Sequence, residues 1–272
     1  MADGMSPSRR GWNGVNGPVW VRRAESREEL EQAYRLVYTS YRRRGYLDEN
    51  PAGVRLTLFN AMPETVTFVS MLEGSVIATV TLVPDTPIGL PMDEIYADEL
   101  AHLRAEGRRP AEVTMLADRR REIARTLPML LCLMKHVFDY ATLVLHASDV
   151  CITINPRHET YYERCLLFEH LGPLRSYPSV RENPALAKRL NLDTARARCE
   201  GNEELLEQFF QNRTPVAVLK GGYRMVREDL RYFLVELTNT LERASSEEVM
   251  CLKRYYPHCP WDDWRAGAAA RR

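Results

Sequence analysis

One acid followed closely by three arginines is the part of this chain with the clearest chemical meaning. Residues 111–121 read Ala-Glu-Val-Thr-Met-Leu-Ala-Asp-Arg-Arg-Arg, a short apolar strand that carries Glu112 and runs into a basic cluster. A glutamate that faces a core is costly to ionise, so its pKa rises, which is what a general base acting on an amine needs. The positive charge of the arginines and the start of a helix near Thr126 would favour binding of an anion beside Glu112. The stretch therefore predicts acyl transfer, although most strand glutamates simply face water.

The overall composition is that of a folded protein without a dominant charge. The chain has 272 residues, of which 45% are hydrophobic and 9% aromatic, enough for a sizeable core. Lysine plus arginine and aspartate plus glutamate each number 37, so the formal net charge is zero and no overall field points to nucleic acid or an anionic membrane. Two local basic clusters, residues 42–44 and 119–121, would suit one acidic partner, although such runs are more often solvated faces.

Cysteine and histidine usage indicates a reduced compartment and no metal. The six cysteines are scattered without a close Cys-x-x-Cys pair, which is typical of reduced thiols in a cytoplasmic protein. The six histidines show no metal-ligand spacing, so we expect no metal. The most apolar run, residues 127–134, is broken by Lys135 and His136 and is too short for a transmembrane segment. The polar residues 1–17 lack the apolar core of a signal peptide and are predicted to be a disordered tail.

Hydrophobic periodicity predicts the elements that would position Glu112. A capping box of Ser26 and Glu29 begins a helix that ends at Gly45, and Glu73-Gly74 is the strongest hairpin signal in the chain. The predicted order is strand 19–22, the first helix, hairpin strands 65–72 and 75–83, helix 92–106, the Glu112 strand, helix 126–146, strand 149–155, helix 159–170 and strand 185–192. This order implies a mixed sheet with helices on both faces.

From residue 202 onward the pattern is helical only. Helices are predicted at 203–210, 223–243 and 245–256, and the second of them has one clean apolar stripe. Such a stripe must be covered, more commonly by packing within the chain than by a second subunit. We therefore divide the chain into a tail at 1–17, a main domain at 18–200, a helical C-terminal extension at 201–257 and a second tail at 258–272.

Several short motifs, none of them specific alone, occur in a specific order between residues 30 and 190. They are Tyr-Arg-Leu-Val-Tyr at 34–38, Arg-Gly-Tyr at 44–46, Gly-Leu-Pro-Met at 89–92, Ala-Glu-Val at 111–113, Pro-Arg-His at 156–158 and Tyr-Tyr-Glu-Arg at 161–164. With them the sequence resembles the bacterial long-chain N-acyl amino acid synthases, a branch of the GNAT-like N-acyltransferases related to acyl-homoserine lactone synthases. The resemblance implies an α/β fold with a GNAT-like mixed central sheet flanked by helices. It also implies transfer of a long acyl chain from acyl carrier protein to the amino group of an amino acid.

Two positions depart from the related enzymes. Where lactone synthases carry Glu-Ile-Ser-Arg, this chain has Glu-Val-Thr-Met, so Met115 replaces the arginine. Glu122 stands where the coenzyme A loop of ordinary GNAT enzymes has a glycine, which adds bulk and negative charge at the place of the pyrophosphate. The acyl-phosphopantetheine of acyl carrier protein, with one phosphodiester and an acidic protein body, suits the flanking arginines better. We therefore expect acyl carrier protein as partner and donor, and no other cofactor bound.

The candidate site residues follow from this resemblance and from the pattern of the helix after Glu112. Glu112 would be the general base, and Tyr162, or else Tyr161, would protonate the leaving thiolate unless both are core aromatics. The donor would contact Met115, Leu116, Ala117, Arg119, Arg120 and Arg121, the acyl chain would lie against Leu130, Leu131 and Met134, and the acceptor side would include Arg35, Tyr38 and Tyr41. The acyl-chain helix is apolar nearly all round, which a cover of C-terminal helices would also explain. A lactone synthase-like enzyme and a non-catalytic domain that binds acyl carrier protein or lipid are the alternatives.

Overall fold

A mixed sheet runs through the centre of the computed structural model, which describes residues 12–15, 17–119 and 126–269. Its strands are β1 (Trp12–Val15), β2 (Gly17–Arg23), β3 (Val66–Leu72), β4 (Ser75–Pro84), β5 (Pro110–Asp118), β6 (Asp149–Ile154), β7 (Glu169–Tyr177) and β8 (Asn183–Asn191). Their spatial order is β1-β2-β3-β4-β5-β6-β8-β7. The central neighbours β5 and β6 are parallel, whereas the other described pairs are antiparallel.

Helices cover both faces of this sheet. They are α1 (Arg27–Arg43), α2 (Asp93–Ala105), α3 (Thr126–Leu143) and α4 (Glu159–Leu166). Because successive strand residues point to opposite faces, Cys151 of β6 faces α2, whereas Ile152 faces α3 and α4. In β5, Val113 faces α3 and α4, whereas Met115, at an irregularity of the strand, faces α1. The predicted mixed sheet with helices on both faces is therefore confirmed.

Local sequence signals account for the first helix and the hairpin. Ser26 lies at the N-cap of α1, and its hydroxyl accepts a hydrogen bond from the Glu29 backbone N–H at 3.2 Å. Glu73 and Gly74 join β3 to β4 with φ values of 47° and 76°. Two successive positive φ values are what a two-residue hairpin turn requires, because they match the right-handed twist of the strands.

The helix predicted at 159–170 is wrong in its last four residues. The helix α4 ends at Leu166, because Leu167 adopts a left-handed conformation with φ of 59°. The chain then forms β7, which pairs with β8 at the edge of the sheet and leaves many of its side chains half-buried or exposed. An edge strand of this kind has no clear alternation of apolar residues, so hydrophobic periodicity does not reveal it.

The chain after β8 is helical, as expected for the C-terminal extension, but its helices are short. They are α5 (Ala195–Arg198), α6 (Glu203–Leu206), α7 (Val216–Lys220), α8 (Arg227–Arg231), α9 (Thr240–Arg243), α10 (Ser246–Tyr255) and α11 (Trp261–Ala269), with π-helical turns at Glu207–Gln211 and Tyr232–Leu237. The single helix predicted at 223–243 is wrong, because Thr238 is extended and divides it. The strand β1 and the helix α11 lie within the two segments expected to be tails, whereas residues 1–11 and 270–272 lie outside the described residues.

Buried charges hold this extension against the main domain. Arg23 of β2 is buried and donates hydrogen bonds to the carbonyl oxygens of Leu219 at 3.2 Å and Lys220 at 3.1 Å. Asp139 of α3 is fully buried, lies 2.5 Å from the Arg213 Nε and accepts a hydrogen bond from the Thr214 N–H at 2.8 Å. The apolar stripe of the extension packs within the chain, as expected, onto α1 and onto residues 58–62.

Asp139→Asn should lower the free energy of unfolding by about 2 to 4 kcal/mol, because the change leaves Arg213 and Lys135 beside a neutral group in a buried position. Chemical denaturation of wild type and variant measures the difference. The exposed Asp263 of α11 provides a matched control, and its replacement by asparagine should change little. Equal stability of the Asp139 and Asp263 variants would contradict the docking role of Asp139.

Candidate active site

The two parallel strands at the centre of the sheet separate after a short ladder. Pairing of β5 with β6 ends at Val113 and Ile152, after which β5 continues along β4 and β6 continues along β8. A cavity of about 480 Å³ occupies this opening and is lined by residues from both faces of the sheet. The β6 side of β5 therefore has no ladder partner beyond Val113, and its backbone polar groups border the cavity.

Glu112 lies in the last part of that ladder and lines the cavity on the face of α1 and α2. Its side chain is 2% exposed, and Oε2 accepts a hydrogen bond from the Met92 backbone N–H at 2.7 Å. Burial raises the pKa of Glu112 to about 8, an effect that the Met92 N–H opposes and the nearby Asp93 charge reinforces. A carboxyl with this pKa exchanges a proton readily near neutral pH, so it is suited to accept one from an ammonium group.

The turn before α2 holds the Met92 N–H in place. Gly89 adopts a positive φ of 75°, and Asp93 Oδ2 accepts a hydrogen bond from the Leu90 N–H at 2.7 Å. Asp93 in turn pairs at 2.7 Å with Arg104, in the last turn of α2. The segment that contacts Glu112 is therefore tied down on both sides.

A bulge in β5 begins directly beyond the point where β6 departs. Met115 has a φ of 54°, and the pairing of β5 with β4 shifts by one residue between Thr114 and Ala117. The Met115 side chain is buried toward α1, where it accepts a hydrogen bond from the Asn60 Nδ2 at 3.4 Å, while Leu116 packs against the core on the other face. A positive φ at a non-glycine residue costs energy and tends to persist at functional sites. No sequence signal at Met115 reveals it.

Two tyrosines of α4 line the cavity from the face opposite Glu112. The Tyr161 hydroxyl is buried and has no hydrogen-bond partner within the described part of the chain, and burial raises the pKa of this phenol to about 12. The Tyr162 ring packs edge-on against Phe168, with ring centroids 5.7 Å apart. The sequence prediction favours Tyr162 as the proton donor, but the unpartnered hydroxyl belongs to Tyr161.

A buried lysine positions α4 against the sheet. Lys188 of β8 is completely inaccessible to solvent, and its Nζ donates hydrogen bonds to Glu159 and, at 2.6 Å, to Glu163. These carboxylates are one helical turn apart on α4, so one ammonium group fixes the orientation of the helix. In the sequence, Lys188 interrupts the apolar residues of the strand predicted at 185–192, whereas in the fold it anchors the helix that carries both tyrosines.

The expected acceptor side is only partly assembled. Tyr41 lines the cavity, but Arg35 pairs with Glu31 at 2.6 Å and Tyr38 accepts a hydrogen bond from the Asn50 N–H at 3.1 Å. Arg35 and Tyr38 lie outside the cavity because they hold the loop after α1 against that helix. Arg55, which the sequence pattern does not single out, lines the cavity in their place.

The donor and acyl-chain candidates are also divided by the fold. Met115, Leu116 and Leu130 line the cavity, whereas Ala117 is buried beneath α1 and Leu131 packs against the core outside the lining. Met134 lines a separate apolar cavity of about 30 Å³ between α3, α4 and the extension.

Arg119 follows the end of β5, where its N–H donates to the Ile77 carbonyl at 2.9 Å, while Arg120 and Arg121 lie outside the described residues. Phe209 and Phe210 of the extension cover Phe138 of α3, so the extension accounts for part of that helix's apolar surface.

No group of three or more histidine, cysteine, aspartate or glutamate side chains among the described residues is arranged to hold a metal ion. No helix formed by residues of the described ranges is long and apolar enough to cross a bilayer.

Comparison with known proteins places this cavity in a family context. The family model of the N-acyl amino acid synthase FeeM matches residues 32–191, the region that contains Glu112 and both tyrosines. The solved structure of FeeM, an N-acyl amino acid synthase from uncultured soil microbes, is 32% identical with a TM-score of 0.58 and covers 66% of this chain and 93% of its own. The AHL synthase LasI shares the fold at 15% identity, with a TM-score of 0.52 and coverage of 72% of this chain and 95% of its own. No curated protein matches this sequence. The expected GNAT-like fold is confirmed, and the chain belongs to the FeeM family of N-acyl amino acid synthases.

Proposed function

We propose that this protein transfers a long-chain acyl group from acyl carrier protein to the amino group of an amino acid, with Glu112 as general base. The observation that carries the proposal is a buried carboxylate of raised pKa at the point where β5 and β6 separate. Membership of a family of N-acyl amino acid synthases supports the reaction class.

The proposed reaction is a direct attack within one complex. The ionised Glu112 takes a proton from the ammonium group of the acceptor, and the free amine attacks the thioester carbonyl carbon. Backbone N–H groups on the free edge of β5, around Met115 and Leu116, stabilise the negative charge on the carbonyl oxygen of the tetrahedral intermediate. Collapse of that intermediate forms the amide bond and expels the thiolate of the phosphopantetheine arm, which takes a proton from a phenol of α4. The nitrogen loses its second proton in the same collapse, and that proton restores the phenol.

Charge at the end of β5 supports acyl carrier protein rather than coenzyme A as donor. The three arginines at 119–121 precede Glu122, whose charge disfavours a pyrophosphate, whereas a single phosphodiester on an acidic protein would be attracted. At the rim of the cavity, the exposed Arg157 donates a hydrogen bond to the Tyr46 hydroxyl at 3.3 Å and adds positive charge. Cytoplasmic location would give the enzyme access to this donor.

The function is tested by supplying acyl carrier protein thioesters and a mixture of amino acids and analysing the products by mass spectrometry. N-acyl amino acids are expected, at a higher rate than with the matching acyl coenzyme A. Lactone products would instead support the lactone synthase alternative, and the absence of any product would support a binding domain. Equal rates with acyl coenzyme A would contradict the argument from Glu122.

Glu112→Gln should reduce turnover by at least about a hundredfold, because the amide keeps the shape and can accept from the Met92 N–H but cannot take a proton.

The folded Glu112→Gln variant should also be more stable than wild type above neutral pH. In wild type the folded state prefers the protonated acid, so stability is lost as the pH rises from the ordinary carboxyl pKa to about 8. Turnover assays and denaturation at several pH values check both effects, and a fully active variant would remove Glu112 from the mechanism.

Tyr161→Phe should lower kcat by about tenfold to a hundredfold, and Tyr162→Phe by less than about threefold. Of these two phenols, the Tyr161 hydroxyl is the one that is buried with no hydrogen-bond partner among the described residues. An activated aryl thioester, whose thiolate needs no proton to leave, should restore the rate of the Tyr161 variant. A larger loss of kcat in the Tyr162 variant than in the Tyr161 variant would indicate that Tyr162 is the proton donor to the thiolate.

Leu130→Trp should shift donor preference to shorter acyl chains, because Leu130 borders the cavity on the side of α3. Each buried methylene contributes about 0.8 kcal/mol, so a narrowed path loses long chains first. Leu131→Trp, one residue further along α3 and outside the cavity lining, is the control. Assays over a series of chain lengths compare the two, and an equal loss at every length in the Leu130 variant would place the acyl path elsewhere.

A further inference from the structure

Three arginines of the described residues line the cavity, and two of them have side-chain partners within the protein. Arg44 donates a hydrogen bond to the buried Ser40 hydroxyl, and Arg157 donates to Tyr46 and to the His158 Nε2 at 3.0 Å. Arg55 differs from both. Among the residues that the structure describes, no carboxylate lies within ion-pair distance of its guanidinium group and no hydrogen bond engages it. A half-buried guanidinium without a carboxylate partner is unusual, because burial removes water that would otherwise solvate the charge.

The backbone around Arg55 is held firmly. Its N–H donates to the Tyr34 carbonyl oxygen at 3.1 Å, and the Asn50 Nδ2 donates to the carbonyl oxygen of the preceding Val54 at 3.2 Å. Two residues later, the Thr57 N–H donates to the Asn60 Oδ1 at 2.9 Å at the start of a 3₁₀ turn, Leu58–Ala61. The guanidinium therefore projects from an ordered segment on α1.

Arg55 and Glu112 act on the same two phenols of the cavity. Burial raises the pKa of Tyr41 and of Tyr177. The charge of Glu112 adds to this increase in both phenols, and the charge of Arg55 opposes it. A cation and an anion thus border one part of the cavity on the face of α1 and α2, and they form no ion pair with each other. A zwitterion with its carboxylate at Arg55 and its ammonium group at Glu112 has the complementary order of charges.

We infer that Arg55 binds the α-carboxylate of the amino acid acceptor and thereby places its amino group at Glu112. This inference rests on the proposed function, and it restricts the acceptor to amines that carry a free carboxylate. Guanidinium binds carboxylate through two parallel hydrogen bonds, which fixes orientation as well as position. The donor phosphodiester is the other anion of the reaction, but the arginines proposed to meet it follow the far end of β5.

The test compares a free amino acid with its carboxamide as acceptors, using the same acyl carrier protein donor. The wild-type enzyme should favour the free acid by about tenfold or more in kcat/KM. Arg55→Met should reduce that preference to less than about threefold, mainly by raising KM for the free acid, with KM for the donor unchanged. The amines of the free acid and of the carboxamide differ in pKa. This difference affects the ratio of their kcat/KM values equally in every variant, so it cancels when the ratios of two variants are compared. Arg55→Lys should retain part of the preference.

Arg42→Met is the matched control, because Arg42, in the last turn of α1, pairs with Glu49 at 3.3 Å and lies outside the cavity lining. It should keep the wild-type preference. The inference is wrong if Arg55→Met acylates amino acids with the wild-type preference for the free acid, or if it raises KM for the donor instead. If no variant and no wild-type sample acylates either acceptor, the proposed function itself fails.

Discussion

Burial of one carboxylate at the place where two parallel strands separate is the constraint on which the rest of the site depends. Glu112 belongs to the last part of the β5 and β6 ladder, so it is held by regular backbone pairing while its side chain borders the cavity. The single N–H of Met92 offsets only part of the cost of removing the charge from water. The result is a group whose pKa lies near 8, suited to take a proton from an ammonium group at physiological pH.

The elements around the opening between β5 and β6 hold its side chains in position. The turn from Gly89 to Asp93 brings the Met92 N–H to the acid, and the bulge at Met115 changes the course of β5 where β6 departs. On the other face, Lys188 holds α4 through two glutamates, so that the tyrosines of that helix border the same cavity. Each support includes a polar group whose hydrogen bonds are made within the protein, which favours one arrangement over alternatives.

Sequence patterns predicted the parts of this account that are local. The Glu112 strand, the Glu73-Gly74 hairpin and the Ser26 cap each depend on a few adjacent residues, and all are present. The parts that depend on distant partners were missed. The strand β7 is defined by pairing with β8, and Arg55 becomes notable only because no carboxylate of the described residues pairs with it. Arg35 and Tyr38, expected on the acceptor side, lie outside the cavity lining for the same reason, since each contacts the loop after α1.

The most direct test of the central claim is the pH dependence of kcat/KM for the acceptor at a saturating concentration of acyl donor. If Glu112 acts as the base from its buried position, the rising limb of the profile should have an apparent pKa near 8, as its environment requires. A rising limb near the ordinary carboxyl pKa, or a profile with no rising limb at all, would contradict the account.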